Sequence, residues 1–545
     1  MRCFRRCCLA LAQLAALAGS GALAAPTAVP RIVSNNGRHQ LVVDDQPFLM
    51  LGAQVNNSSN YPAMLPQVWP IIEQLHANTV EIPVAWEQIE PREGQFDFSW
   101  VDTLLRGARA HDVRLVLLWF ATWKNTSPNY APDWVKLNAR RFPRMLKPDG
   151  TPHNVLSPLG RTTLEADKRA FVRLMQHLRD ADPDHRVIMI QVENESGSYG
   201  LVRDHSPAAN RMIAGAIPAD LARYLGKPAR SWEDSFVEFA DQAFESWHTA
   251  RYVDEIAAAG KAVLPLPMYT NASVGDAFDI KQASTVASGG PQWNMIDVWK
   301  AGAPHLDLVA PDIYTSDPRQ VTALLGHYAR ADNPLMVPEM GNSPAFARFL
   351  YEALGKGAIG VSPFGMDATG YSNYPLGAKS LGPAEIDAFA GLYRVLRPMQ
   401  RQWAMIAATK PVWGVAKGSD AADQTTVLGR WRLTTLYDMW AFGERDWTWI
   451  KSDTPPTKGQ PVGGLIVAQL GPDEFLAAGS NVRLRLGLAS ASRGEHATMA
   501  RVEEGNYGAD GAWHMTRVLN GDQTDYGLNF PSEPVLLRVT MGIWQ

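Results

Sequence analysis

Two short stretches of this 545-residue chain place carboxylates where apolar runs end. Residues 187–200 read VIMIQVENESGSYG, and residues 334–342 read PLMVPEMGN. A buried carboxylate is costly unless it is paired or used. The first stretch offers Glu193 and Glu195 on either side of Asn194; the second offers Glu339. If both apolar runs are strands of one barrel, these glutamates meet at its rim. Two facing rim carboxylates are what cleavage of a glycosidic bond needs. One is kept protonated to donate to the leaving oxygen, and the other attacks the anomeric carbon or activates water. Glu193 and Glu195 are two apart and share one side of a regular strand, so spacing leaves the choice between them open.

The elements that must position these groups are visible as a repeat. Apolar, β-branched runs lie at 48–54, 79–86, 114–120, 187–194, 265–271, 306–314, 334–340 and 358–365. Amphipathic stretches at 64–77, 98–112, 163–182 and 236–260 precede the second to fifth runs. Near-continuous apolar strands separated by helices predict an α/β chain folded as a (β/α)8 TIM barrel. Long insertions follow the third, fourth and fifth runs, at the strand ends where such a barrel builds its site. No Gly-rich phosphate loop follows the first run, which argues against a doubly wound sheet. Beyond about residue 400 the texture changes to short strand-like runs between Gly, Asp and Asn turns, predicting a smaller all-β, sandwich-like domain. The expected division is residues 1–25 as a signal peptide, 26–400 as the barrel and 401–545 as the β-rich domain.

Composition narrows the function classes. The chain is 46% apolar and 19% charged, with a formal net charge of −4 and no long run of one sign. That argues against a nucleic-acid surface. The N-terminus places arginines before an apolar, Ala-rich stretch ending in Ala-Leu-Ala-Ala, the layout of an export signal. The expectation is an exported protein, periplasmic or secreted, with no membrane insertion once the signal is removed. Cys3, Cys7 and Cys8 all fall inside that segment, so a mature chain has no thiolate and no disulfide. The histidines are scattered, with no pair at ligand spacing, and neither a P-loop nor a G-x-S-x-G elbow is present. Neither a metal nor another cofactor is expected.

The quoted motifs resemble a known group. QVENESGSYG and PEMGN are similar to glycoside hydrolase clan A, in particular the family 35 β-galactosidases. VEIPVAWEQIEPREGQFDFSW (80–100) is similar to the related family 42 β-galactosidases. The resemblance spans the barrel, residues 40 to about 400, and a distinct β domain follows. It implies that Glu195, preceded by Asn194, is the acid/base and that Glu339 is the nucleophile. It gives Asn194 the sugar 2-hydroxyl and makes Tyr314, in PDIY, the donor to the nucleophile. Trp119, Trp123, Lys124 and Asn125 after the third run, and Trp293 and Asn294 in the loop after the fifth, become candidates for gripping the sugar. Trp86 and Glu90 would shape the rim, and Phe364 the floor. The implied activity is that of a retaining, exo-acting β-galactosidase on oligo- or polysaccharides, xyloglucan side chains included. Another clan A β-glycosidase (a β-glucosidase or mannanase) and a non-catalytic carbohydrate-binding barrel are the alternatives. The partner expected is a carbohydrate; the β domain is left open between glycan binding, closing the pocket and a homodimer interface.

Overall fold

The computed structural model describes residues 28–280, 283–440, 443, 445, 453–508 and 510–545. The expected signal peptide, with its three cysteines, lies outside the described residues. Eight parallel strands close into a barrel: β1 (Met50–Gln54), β2 (Thr79–Ala85), β3 (Arg114–Lys124), β4 (Val187–Asn194), β5 (Met268–Ser273), β6 (Leu308–Ile313), β7 (Met336–Met340) and β8 (Gly360–Pro363). Each coincides with one of the eight runs read from the sequence. Helices follow the strands in turn: α1 (Leu65–Leu75), α2 (Ser99–Ala110), α3 (Arg161–Ala181), α4 (Ala240–Lys261), α5 (Ile296–Gly302), α6 (Pro318–Tyr328), α7 (Phe349–Gly355) and α8 (Pro383–Leu396).

The apolar runs are long because each barrel strand is covered on both sides. Inside, Val116, Leu118, Ile188, Met336 and Ile359 fill the barrel with Leu41, Val43 and Phe48 from an N-terminal antiparallel sheet. Outside, residues such as Leu115, Leu117, Val187 and Val337 meet the apolar faces of the helices. Among the described residues no helix is long and apolar enough to cross a membrane.

The C-terminal part opens with β9 (Val412–Ala416), the edge of a six-stranded antiparallel sheet that faces a four-stranded one. Trp431, Leu433, Phe475, Leu484, Phe530 and Val539 form the core between the two sheets. The outer face of the larger sheet is not left to solvent. Ile466, Ala468, Leu476, Ala478 and Leu536 join the apolar layer that surrounds the barrel.

Candidate active site

The carboxylates gather at the C-terminal mouth of the barrel, and the end of β4 decides which ones. There the strand departs from regular geometry: Glu193 and Glu195 both have positive φ, 63° and 45°. Such values are uncommon without glycine. They send the two side chains to different places, which corrects the expectation that both face one side. Glu193 turns outward, accepting the backbone N–H groups of Thr122 at 3.3 Å and Trp123 at 2.7 Å. Burial, and then the charge of Asp167 on α3, push its carboxyl well above the ordinary range. Glu195 turns over the mouth, its own N–H donating to Asn271 Oδ1 at 3.0 Å. The turn after it is pinned by the loop that follows β5. Ser198 and Ser288 exchange backbone hydrogen bonds of 2.7 and 3.0 Å. A Cβ on Gly197, at φ 112°, would lie 2.3 Å from the Ser288 carbonyl oxygen, so only glycine allows this approach.

Glu339, on β7, is surrounded by donors. Tyr314 Oη donates to its Oε2 at 2.7 Å, Gln54 Nε2 to its Oε1 at 2.9 Å, and Asn271 Nδ2 to the same oxygen at 3.4 Å. That set suits a carboxylate anion, which accepts and does not donate. Glu195 has different surroundings. Burial raises its pKa, the Lys124 ammonium draws it down and the charge of Glu339 raises it again, leaving it at about 7. Ser273 and Asp312 also face its carboxyl and draw its pKa down. An oxygen from each of Glu195, Asp312 and Glu339 lies within 4.8 Å of the other two. Among the described residues this trio is the cluster of acidic side chains that could hold a cation, and Lys124 already brings an ammonium to it.

An amide network links the trio to β3. Asn194 Oδ1 accepts from Gln191 at 2.8 Å and from Asn271 at 3.3 Å, and Asn194 Nδ2 reaches Asn125 Oδ1 at 3.4 Å. Lys124 Nζ donates to the same Asn125 oxygen at 2.6 Å and lies 4.9 Å from the Phe120 ring. The structure therefore brings together Glu195, Glu339, Asn194, Tyr314, Lys124 and Asn125 from the sequence reading. Phe364 packs edge-on to Tyr314, with ring centroids 6.4 Å apart. Glu90 is a rim brace: it accepts from Trp86 Nε1 at 3.0 Å, Gly94 N at 2.7 Å and Arg169 at 2.9 Å.

Two expected sugar contacts, Trp119 and Trp123, lie in the outer layer of the barrel, and two more, Trp293 and Asn294, are held by neighbouring helices. Trp119 is fully buried outside the barrel, its indole N–H on Asp167 and its ring against Phe171 of α3. Trp123 likewise packs on Tyr252 of α4, centroids 4.7 Å apart. Both point outward by the regular alternation of β3, which sends Leu115, Leu117, Trp119, Ala121 and Trp123 to the helical layer and Val116, Leu118 and Phe120 to the interior. Trp293 is stacked on His327 of α6 at 4.6 Å, and Asn294 exchanges amide hydrogen bonds with Gln242 of α4. Conversely, the sequence reading passed over Gln54, Asn271, Ser273 and Asp312. Gln54, Asn271 and Asp312 are polar residues at the C-terminal ends of runs already read as strands, and Ser273 lies two residues past one of them. Asp312 even stands two residues before Tyr314, on the same inward face. Beneath them Glu81 of β2, fully buried, accepts from Tyr269 Oη at 3.1 Å and Ser362 Oγ at 2.5 Å, and burial pushes its pKa up to about 8.

Residues 64–263 match the protein-family model described as Beta-galactosidase, that of glycoside hydrolase family 42. The segment holds β2 to β4 and Glu195. Residues 389–531 match a second, described as a domain of unknown function (DUF5597), which begins within α8 and takes in most of the β sandwich. No curated protein sequence matches the chain. Among solved structures, the β-galactosidase of Bacillus circulans sp. alkalophilus is 15% identical with a TM-score of 0.47, over 65% of this chain and 57% of that one. The enzyme of the psychrophilic Marinomonas ef1 is 12% identical with a TM-score of 0.47, over 66% and 62%. That of the Antarctic haloarchaeon Halorubrum lacusprofundi is 17% identical with a TM-score of 0.44, over 64% and 58%. The chain thus spans 57% to 62% of the length of these three enzymes. Its barrel is similar to clan A family 42, followed by a further C-terminal domain.

Proposed function

We propose that the chain is a retaining, exo-acting β-galactosidase that removes terminal β-D-galactosyl residues from oligo- or polysaccharides, xyloglucan side chains among them. One observation carries this reading: Glu195 and Glu339 meet at the barrel mouth in contrasting surroundings, and the first lies within the family-matched segment. Their oxygens, within 4.8 Å, support the carboxyl separation of about 5–5.5 Å that goes with retention rather than the roughly 6.5–9.5 Å of inversion.

In the first step a Glu339 oxygen bonds to the anomeric carbon as the glycosidic C–O bond breaks, and the Glu195 proton passes to the leaving oxygen. In the second, Glu195 takes a proton from water, the water oxygen bonds to the anomeric carbon and the bond to Glu339 breaks. Tyr314, Gln54 and Asn271, which donate to Glu339, position it for attack, and in this reading the Asn194 amide, held by Asn271, takes the sugar 2-hydroxyl.

The test is a hydrolysis panel of aryl β-galactoside, β-glucoside, β-mannoside and α-L-arabinoside, with Glu339→Gln and Glu195→Gln alongside. Galactoside cleavage reduced by roughly 10²–10⁴-fold or more in each variant is expected. Cleavage of a different glycoside, lost in the same variants, would move the enzyme to another clan A activity such as a β-glucosidase or mannanase. Wild-type rates in Glu339→Gln would overturn the nucleophile assignment, and a protein that binds these sugars without cleaving them would be a non-catalytic barrel.

A further inference from the structure

Double displacement uses two carboxylates, and the mouth holds three. Asp312 is 1% exposed and in register with Glu339 on one side and Ser273 on the other. Asn271 Nδ2 donates to its Oδ2 at 2.8 Å. Its Oδ1 is buried and has no hydrogen-bond partner as a carboxylate. Lys124 is the cation that faces the trio. The other titratable groups around Asp312 are Tyr314, Tyr269, Tyr199 and Tyr328, all hydroxyls whose pKa values are raised by burial, that of Tyr199 to about 12. None of them supplies a second positive charge.

Three anions this close, out of water and facing one ammonium, repel one another strongly. We infer that Asp312 works as a neutral carboxylic acid, its Oδ1–H directed at Glu195, and is thereby a positioning residue for the acid/base. The inference rests on the double-displacement reading above. Charge then balances at both stages. Before attack the trio holds one anion, Glu339, with Glu195 and Asp312 protonated. In the covalent intermediate Glu339 is a neutral ester, Glu195 is the anion, and the Asp312 proton has not moved. One ammonium faces one negative charge throughout, and the Asp312 hydroxyl is in place to stabilise Glu195 when it becomes the base. Burial, reinforced by the charges of Glu339 and Glu195, raises the Asp312 pKa, in the same direction.

Two measurements on the full chain decide it. The first is the pH profile of kcat/KM on aryl β-galactoside for wild type, Asp312→Asn and Asp312→Ala. An amide N–H replaces the acid O–H, so Asp312→Asn should stay within about tenfold of wild type with its alkaline limb little moved. Asp312→Ala should lose roughly 10²-fold, with the limb displaced upward because Glu195 has lost a donor. Loss in Asp312→Asn as deep as in Glu339→Gln, or identical profiles for the two Asp312 variants, would overturn the inference. The second needs no turnover: infrared difference spectra of folded protein at a pH where ordinary carboxyls are ionised. Asp312→Asn and Glu195→Gln should each abolish a separate protonated-carboxyl band. A spectrum unchanged by Asp312→Asn would overturn the inference even if the glycosidase reading stood. A lost band with no hydrolysis of any glycoside would instead uphold the proton and fault the reading.

Discussion

At the scale of single residues, the contrast between the two glutamates sets a pH dependence. A general acid works only while protonated, and the Glu195 pKa is about 7. The protonated fraction falls as pH rises through that value, so kcat/KM should have an alkaline limb near neutrality. Burial holds the pKa up and Lys124 holds it down, so the position of the limb depends on that ammonium. Lys124→Met removes the charge that favours the Glu195 anion. The limb should therefore move to higher pH, by on the order of one unit for an opposite charge at this range. Stopped assays on an aryl galactoside across the neutral range check it; a limb left in place would mean that Lys124 does not act on Glu195. The amide network separates the two roles of the lysine. Its bond to Asn125 helps place Asn194, so a rise in KM without a shift of the limb would report that second role alone.

At the scale of elements, the end of β4 explains what the sequence showed and what it hid. All eight strands were legible because a barrel strand is covered on both faces and reads as an unbroken apolar run. The positions of Glu339 and Tyr314 followed from the strand ends. The directions of side chains on β3 and β4 did not. Those at the end of β4 depend on positive φ at Glu193 and Glu195, neither of them a glycine. Strict alternation would have put Glu193 and Glu195 together, whereas on β3 it holds and carries Trp119 and Trp123, which the resemblance had offered to the sugar, into the helical layer. The same geometry predicts different fates for two neighbouring glutamates. Glu193 ties the backbone of β3 to β4, and burial, with the charge of Asp167, raises its pKa well above the ordinary carboxyl range. Glu193→Gln should keep activity within about tenfold of wild type, against the deep loss in Glu195→Gln. Glu193→Ala strands two buried N–H groups and should cost about 1–3 kcal/mol for each one left unsatisfied. Because the folded state binds the extra proton, Glu193 lowers stability as pH rises above the unfolded carboxyl range, and Glu193→Gln should flatten that slope. Denaturation at two pH values, with rates at one, tests both statements.

At the scale of the whole molecule, the β sandwich and the barrel share a core. Helix α7 lies against β9, and the contact is backbone on backbone. A Cβ on Gly414 would sit 2.1 Å from the carbonyl oxygen of Tyr351, and one on Gly355 2.1 Å from the amide of Gly414. Tyr351 reaches across to donate to Ser480 at 2.9 Å. The apolar face behind it, with Ile466, Leu476 and Leu536, is buried only while the barrel's helices cover it. The change of texture beyond about residue 400 announced strands, but not this union, because glycines that permit close approach read in sequence as turns. The union has a thermodynamic consequence. Two units joined by a linker unfold separately, whereas units sharing a dry core unfold together. Calorimetry should show one transition for the full chain, and Gly414→Val, which overpacks the seam by roughly 1–3 kcal/mol or more, should lower it as a single step. Barrel fluorescence and galactoside hydrolysis would then be lost together with the sandwich signal. Two resolved transitions, with the variant moving only the one that belongs to the sandwich, would mean that the β domain rides on the barrel without supporting it. The barrel's loops would then have to hold Glu195 and Glu339 in place unaided.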